Sequence, residues 1–211
     1  PTTYPRPTIQ SFEGEKIYRS ISNVDKIYNL CKKLHTTPYI FLLTVYYILL
    51  YKYTDQNDII VGTPIVGRDN SNVSSMIGMF VNTLALKVHI DSKNSFKTFL
   101  TYVTNNCFNA FEYQTYPFDE LLKKLNITRD TSRNPLFDTM FIYQNNGTPM
   151  LNLNNMETHY FIPDNHTSKF DFSLEVIPNG NDFDLCLEFC TKLFNKSFME
   201  RFLEHYTNIL S

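Results

Sequence analysis

The sequence predicts a mixed α/β fold, with a mixed β-sheet packed on helices. Three observations carry this expectation. Short runs rich in β-branched residues, such as Ile59-Ile60-Val61, alternate with longer segments of helical period. The stretch from Tyr39 to Tyr51 is apolar nearly all round, the pattern of a helix buried against a sheet. The chain then closes on strand, turn, strand and helix in that order. At 211 residues, with 43% hydrophobic and 19% charged side chains, one domain with a real core is expected.

Taken in order, residues 1–10 read as a linker, because three prolines in the first seven residues favour extended backbone and remove amide donors. Residues 15–21 read as a strand. Residues 23–35 form a helix with Val24, Ile27, Leu30, Cys31 and Leu34 on one face. Thr37-Pro38 is an N-cap followed by proline at the first helical position, and that helix runs to about Tyr53. Residues 58–66 form a strand whose Ile59-Ile60-Val61 run implies burial on both faces. Residues 80–90 form another strand.

Residues 95–113 form an amphipathic helix, with Phe96, Phe99, Leu100, Val103, Cys107 and Phe111 along one stripe. Residues 117–125 make a short helix with Pro117 near its first turn. Residues 138–144 form a strand ended by Asn145-Asn146-Gly147. Residues 148–168 are Asn-rich and poorly patterned, apart from a short strand at 157–162. Residues 170–177 and 182–190 pair as a hairpin across Pro178-Asn179-Gly180-Asn181. Residues 197–210 form the closing helix, with Ser197 and Glu200 spaced as a capping box.

Composition excludes several functions. Net charge is -2 and the lysines occur singly or in pairs, so no basic stripe is present to neutralise phosphates and no nucleic-acid partner is expected. The 18 Phe and 14 Tyr read as core. The long apolar run is thirteen residues, short for a membrane span, and no signal-peptide pattern opens the chain. A cytoplasmic protein with no membrane partner is expected. Cys31, Cys107, Cys186 and Cys190 include no C-x-x-C pair and read as buried free thiols. Cys186 and Cys190 share one strand face but stand too far apart to bond each other. His35, His89, His159, His166 and His205 have no metal or nucleophile context, so no metal and no catalytic residue are expected in this chain.

Four segments carry unusual residue patterns. Gly62-Thr63-Pro64-Ile65-Val66-Gly67-Arg68-Asp69 ends a strand, where sites gather, and Gly67 permits a tight turn that projects Arg68. An arginine fork suits a carboxylate, although the plain reading is a solvated Arg68 beside Asp69. In Ile77-Gly78-Met79-Phe80-Val81-Asn82-Thr83-Leu84, Gly78 implies a bulge or a close backbone approach. Asn82-Thr83 interrupts the apolar alternation, and the plain reading is an asparagine satisfied by local backbone. Tyr113-Gln114-Thr115-Tyr116-Pro117-Phe118-Asp119-Glu120-Leu121 turns the chain between two helices, with Pro117 and Phe118 packing. In Arg129-Asp130-Thr131-Ser132-Arg133-Asn134-Pro135-Leu136-Phe137, Asp130 or Ser132 can close a turn and Asn134 before Pro135 stays extended. Arg129 and Arg133 are expected to bond backbone carbonyls or neighbouring acids.

The last three segments, in this order, resemble the last three signature motifs of a nonribosomal peptide synthetase condensation domain, a member of the chloramphenicol acetyltransferase-like superfamily. The resemblance covers essentially the whole chain. It implies the C-terminal lobe of a two-lobed, V-shaped domain, with residues 1–10 as inter-lobe linker and 11–211 as the lobe. In that family the catalytic His-His-x-x-x-Asp-Gly motif lies in the N-terminal lobe. This chain has no His-His pair, so the resemblance implies a fragment that is inactive alone. It also implies amide-bond formation between thioesters held on the phosphopantetheine of upstream and downstream peptidyl carrier proteins. An adjacent adenylation domain and no directly bound cofactor are implied too.

Residue by residue, the resemblance implies that Arg68 pairs with the Asp of the absent motif and supports the active site. It places Gly78, Asn82 and Thr83 in the wall of the substrate tunnel. Pro117, Phe118, Arg129, Asp130, Arg133, Asn134 and Pro135 take structural roles. Tyr113, Thr115 and Asp119 depart from the usual His or Asn, Asp and Glu, so no role of that usual Asp is carried over. Residues 144–168 are expected to include a segment crossing to the other lobe. Two further readings stand beside this one: a catalytically dead module that docks carrier proteins, and a stand-alone acyltransferase with its catalytic histidine on this chain.

Overall fold

The computed structural model describes residues 1–68, 76–144 and 165–210. Asp69, His159, the Asn145-Asn146-Gly147 turn, the strand expected at 157–162 and most of the expected crossing segment lie outside the described residues.

Six strands form one sheet: β1 (Gly14–Ser22), β2 (Asp58–Ile65), β3 (Asn82–His89), β4 (Thr139–Tyr143), β5 (Phe172–Asn179) and β6 (Asp182–Cys190). Their order is β1-β6-β5-β4-β2-β3. β4 runs parallel to β2 and β5, and the other pairings are antiparallel. The sheet is therefore mixed, as expected. The helices are α1 (Asp25–Lys33), α2 (Pro38–Thr54), α3 (Phe96–Glu112), α4 (Phe118–Leu125) and α5 (Lys196–Leu210).

α2 begins as its sequence dictates, with the Thr37 hydroxyl accepting the Ile40 N–H at 3.2 Å and Pro38 behind it. Its apolar girdle lets it sit inside the molecule, with the run from Ile40 to Tyr47 buried throughout. Alternate residues of the strands share its core cluster: Leu84, Leu86 and Val88 of β3, Leu174 and Val176 of β5, and Phe183, Leu185, Leu187 and Phe189 of β6. Three tyrosines are fully buried, and each hydroxyl finds a partner, as desolvated O–H groups must. Tyr46 bonds the Thr139 hydroxyl, Tyr47 donates to Leu86 O at 2.8 Å, and Tyr206 donates to Leu42 O at 3.0 Å. Burial raises all three phenol pKa values, so they stay neutral.

The four cysteines are free and buried, as read from their spacing. Burial pushes the thiols of Cys31 and Cys186 up to about 11 and that of Cys107 to about 12, so they are poor nucleophiles. β5 and β6 turn on Gly180, whose φ of 60° needs a residue without Cβ strain. Among the described residues no single helix is long and apolar enough to cross a membrane.

Three local expectations need correction. β3 starts at Asn82, two residues later than the apolar pattern suggests, and exposed Gly78 lies ahead of it rather than forming a bulge within it. α5 starts at Lys196, and its cap is Asn195, whose Oδ1 accepts the Phe198 N–H at 2.8 Å. Ser197 instead donates its hydroxyl to that same oxygen at 3.1 Å, so the predicted capping box does not form. α4 starts at Phe118, one residue later than read, with Pro117 as its N-cap residue beside the first turn.

Candidate functional site

The motif residues gather in two clusters at the margins of β2, β3 and β4. The first forms where β2 ends. Gly67 takes a φ of 65°, and a Cβ there would overlap the Phe80 carbonyl oxygen, so only glycine allows this turn. The turn sends Arg68 back over the residues that precede β3. Its Nη1 donates to Met76 O at 2.7 Å, its Nη2 to Gly78 O at 3.3 Å, and its guanidinium lies 4.4 Å from the Phe80 ring centroid. Arg68 is thus fixed in direction by the segment that carries Gly78.

Asn82 joins this segment to the turn between α3 and α4. Its amide nitrogen donates to Gln114 O and Tyr116 O, both at 2.8 Å, and its amide oxygen accepts the Phe118 N–H at 3.3 Å. The asparagine is satisfied by backbone, but by backbone more than thirty residues away rather than by its own neighbours. Thr83 is half-buried and lies opposite Pro64 in the β2–β3 pairing. Behind Pro117, the Phe118 ring packs on Phe137 with centroids 5.6 Å apart, and Phe137 stacks on Phe170 at the same separation. Gly62 makes room for this stack, since a Cβ there would overlap the Phe137 ring. Side-chain bonds and ring contacts therefore tie all four unusual segments together.

The second cluster surrounds the loop of residues 129–137. Asp130 closes its turn by accepting the Ser132 N–H at 2.8 Å, and the Ser132 side chain, followed by this N–H, holds its carboxyl below the usual range. Arg133 reaches Asp130 at 3.5 Å and Asp138 at 3.4 Å, and the Asn134 amide donates to Lys169 O at 2.7 Å. Arg129 and Pro135 are exposed. Leu136 takes a φ of 71°, a left-handed conformation a non-glycine residue rarely adopts. Burial, and then the neighbouring Asp171, raise the pKa of Asp138, whose Oδ1 has no hydrogen-bond partner among the described residues. Arg6 pairs with Asp171 through both of its terminal nitrogens and also donates to Ser132 O at 3.2 Å. A cleft of about 630 Å³ opens beside this network, floored by Tyr53, Phe172, Phe198 and Phe202.

Sequence reasoning found Arg133 and its acidic neighbours as a class, while the exposed Arg129 forms no such bond among the described residues. It missed Arg6, Asp138 and Asp171. The signal available for Arg6 was its place between Pro5 and Pro7, which pre-extends the backbone on both sides. His35, His89, His166 and His205 are all exposed and belong to neither cluster, and His159 lies outside the described residues. His89 lies 3.4 Å from Asp58, and His205 bonds the Tyr53 hydroxyl at 2.9 Å. Among the described residues no group of His, Cys, Asp or Glu could hold a metal ion.

Comparison with known proteins matches this arrangement to one family. The family model described as Condensation domain matches residues 1–211. The chain is 45% identical over 212 residues to gramicidin S synthase 2 of Brevibacillus brevis, and 43% identical to tyrocidine synthase 2 of Brevibacillus parabrevis. Each match covers 100% of this chain but only 5% and 6% of those proteins, so the chain spans a small part of the relatives it matches. Among solved structures, a four-domain nonribosomal peptide synthetase bound to AMP and glycine superposes with a TM-score of 0.90 at 23% identity, over 98% of this chain and 17% of that one. The X-domain from teicoplanin biosynthesis superposes with a TM-score of 0.88 at 15% identity, over 98% of this chain and 48% of that one. These two likenesses show a shared fold, and the sequence matches show descent: the chain belongs to the condensation domain family of nonribosomal peptide synthetases.

Proposed function

We propose that residues 11–211 are the C-terminal lobe of a condensation domain, that residues 1–10 join it to the N-terminal lobe, and that the complete domain forms an amide bond. The amine of an acceptor aminoacyl thioester attacks the carbonyl carbon of a donor aminoacyl or peptidyl thioester. The C–N bond forms, the C–S bond breaks, and the proton lost by the amine is balanced by the thiol released. Both thioesters ride on phosphopantetheine of upstream and downstream peptidyl carrier proteins, and an adjacent adenylation domain is a further partner. Holding two tethered reactants at one place is the main physical contribution of such a scaffold.

One observation carries the division of labour. The family match spans the whole chain, yet the sequence has no His-His pair, and every described histidine is exposed and outside both clusters. Proton handling therefore belongs to the other lobe. In this reading Arg68 steadies the catalytic loop across the lobe boundary, and Gly78, Asn82 and Thr83 form part of the tunnel wall. Val66, Met76, Ile77, Met79 and Val81 surround Arg68 with more than half of their surface exposed, which supports packing of another layer against this end. Four buried free thiols fit a reducing compartment, and the cytoplasm is the location proposed.

The test is reconstitution. The isolated chain, given two loaded carrier proteins, should yield no peptide, and the complete domain should yield it. Turnover above background by the isolated chain would overturn the half-enzyme reading. In the complete domain Arg68→Ala should lose turnover or soluble yield, at a cost of roughly 3–5 kcal/mol for an orphaned buried acid. Wild-type turnover in that variant would remove Arg68 from the site.

A further inference from the structure

We propose that Arg6 is a latch: one guanidinium fastens the leading segment of the chain, residues 1–10, to both the loop of residues 129–137 and the end of the sheet.

Three features of the geometry support it. The first is the setting of Arg6. Pro7 holds the residue before it in extended backbone, so Arg6 has little conformational freedom left to lose. Its side chain is 17% exposed and that of Asp171 is 7% exposed, so the pair is shielded from water and from salt. The two bonds run side by side from the guanidinium fork to the two carboxylate oxygens, one of them at 2.9 Å.

The second feature is what Asp171 holds. Its N–H donates to Asp138 O at 3.0 Å, and its carbonyl accepts the Cys190 N–H at 2.9 Å. Asp171 therefore sits where β4 and β5 begin and β6 ends. The same guanidinium reaches Ser132 O inside the loop. Arg6 is thus bonded at once to the sheet end and to the loop, and its own backbone belongs to the leading segment.

The third feature is the arrangement of the remaining bonds. On one side of Arg6, the Thr3 and Tyr4 N–H groups donate to Leu193 O at 2.8 and 3.0 Å. On the other, the Gln10 N–H donates to Thr131 O at 2.8 Å, and the Thr131 hydroxyl donates to Thr8 O at 3.0 Å. These flanking contacts are neutral and nearer the surface, while the part-buried charge pair stands between them. Removing Arg6 also leaves Asp171 facing Asp138, a second carboxyl that burial already disfavours in its charged form. Arg133, at 3.4 Å from Asp138, is too far from ideal geometry to compensate both acids. The loop that closes the second cluster and the direction in which the chain enters the lobe are consequently set by one side chain. This proposal stands whether or not the complete domain forms a peptide bond.

Amide hydrogen exchange on the chain tests it. In Arg6→Gln, exchange at Thr3, Tyr4 and Gln10 should accelerate by roughly two orders of magnitude, the effect of losing a buried ionic partner. Exchange at Leu86 and Val103 in the core should not change. Arg6→Lys keeps the charge without the fork and should fall between the two. The exchanged pair Arg6→Asp with Asp171→Arg should recover slow exchange. Unchanged exchange at Thr3, Tyr4 and Gln10 would overturn the latch. Equal acceleration at Leu86 and Val103 would also overturn it, because Arg6 would then contribute only to global stability. Should Arg6→Gln fail to fold, Arg6→Lys and Asp171→Asn are read by the same two criteria.

Discussion

Phe141 and Asn82 illustrate two ways of holding a lobe together. Phe141 sits among the rings of Tyr39 and Tyr46 with no exposed surface. Asn82 is held by three backbone groups of a single turn between α3 and α4. The first kind of contact is non-directional and grows with the apolar area removed from water. The second depends on donors and acceptors being placed to within a fraction of an ångström. The core is therefore tolerant of sequence but intolerant of voids, whereas the motif surface is intolerant of the wrong polar atom.

Substitutions at three places break or sharpen that contrast. Phe141→Ala should have the largest effect, about 3–5 kcal/mol of stability, because it opens a cavity in close-packed surroundings. Urea denaturation measures it, and a loss under about 1 kcal/mol would mean that the core can collapse around the gap. Asn82→Ala should cost about 1–3 kcal/mol, since it strips partners from two carbonyls and one amide. The Phe118 N–H should then exchange faster than core amides. An Asn82→Asp variant, which keeps the shape but loses both donors, should be no better than the alanine variant. Asn195→Ala should cost about 1 kcal/mol as a lost helix cap. Ser197→Ala should stay within about 0.5 kcal/mol. A reversal of those last two would restore the capping box that the spacing of Ser197 and Glu200 suggests.

The same contrast explains what could be read in advance. Every described helix and strand was legible, because periodicity is a property of neighbours in sequence. The Thr37-Pro38 start was legible for the same reason: cap and first turn lie within four residues. The cap of α5 was misread because Asn195 and Ser197 are both competent acceptors, and only packing decides where the helix begins. Gly78 looked like a strand interruption because the residues around it are apolar, yet they are exposed and β3 starts beyond them. Asn82 was singled out and Arg6 was missed, and the partners of neither could be read. Gln114 O, Tyr116 O, Asp171 and Ser132 O come close only once the chain has folded. The family motifs pointed to the right segments without revealing which of their atoms meet.

The sheet order has a consequence in time rather than in space. β1 is made before the other five strands of the described sheet, but its partner is β6, with Gly14 opposite Cys190. At roughly 5–20 residues per second of synthesis, β1 waits on the order of ten to thirty-five seconds before its partner exists. Until then its hydrogen-bonding edge is open to any other strand. Lys16 and Arg19, spaced along it, place charge on that waiting edge. In the order of assembly, the earliest strand of this sheet is among the last to find its place.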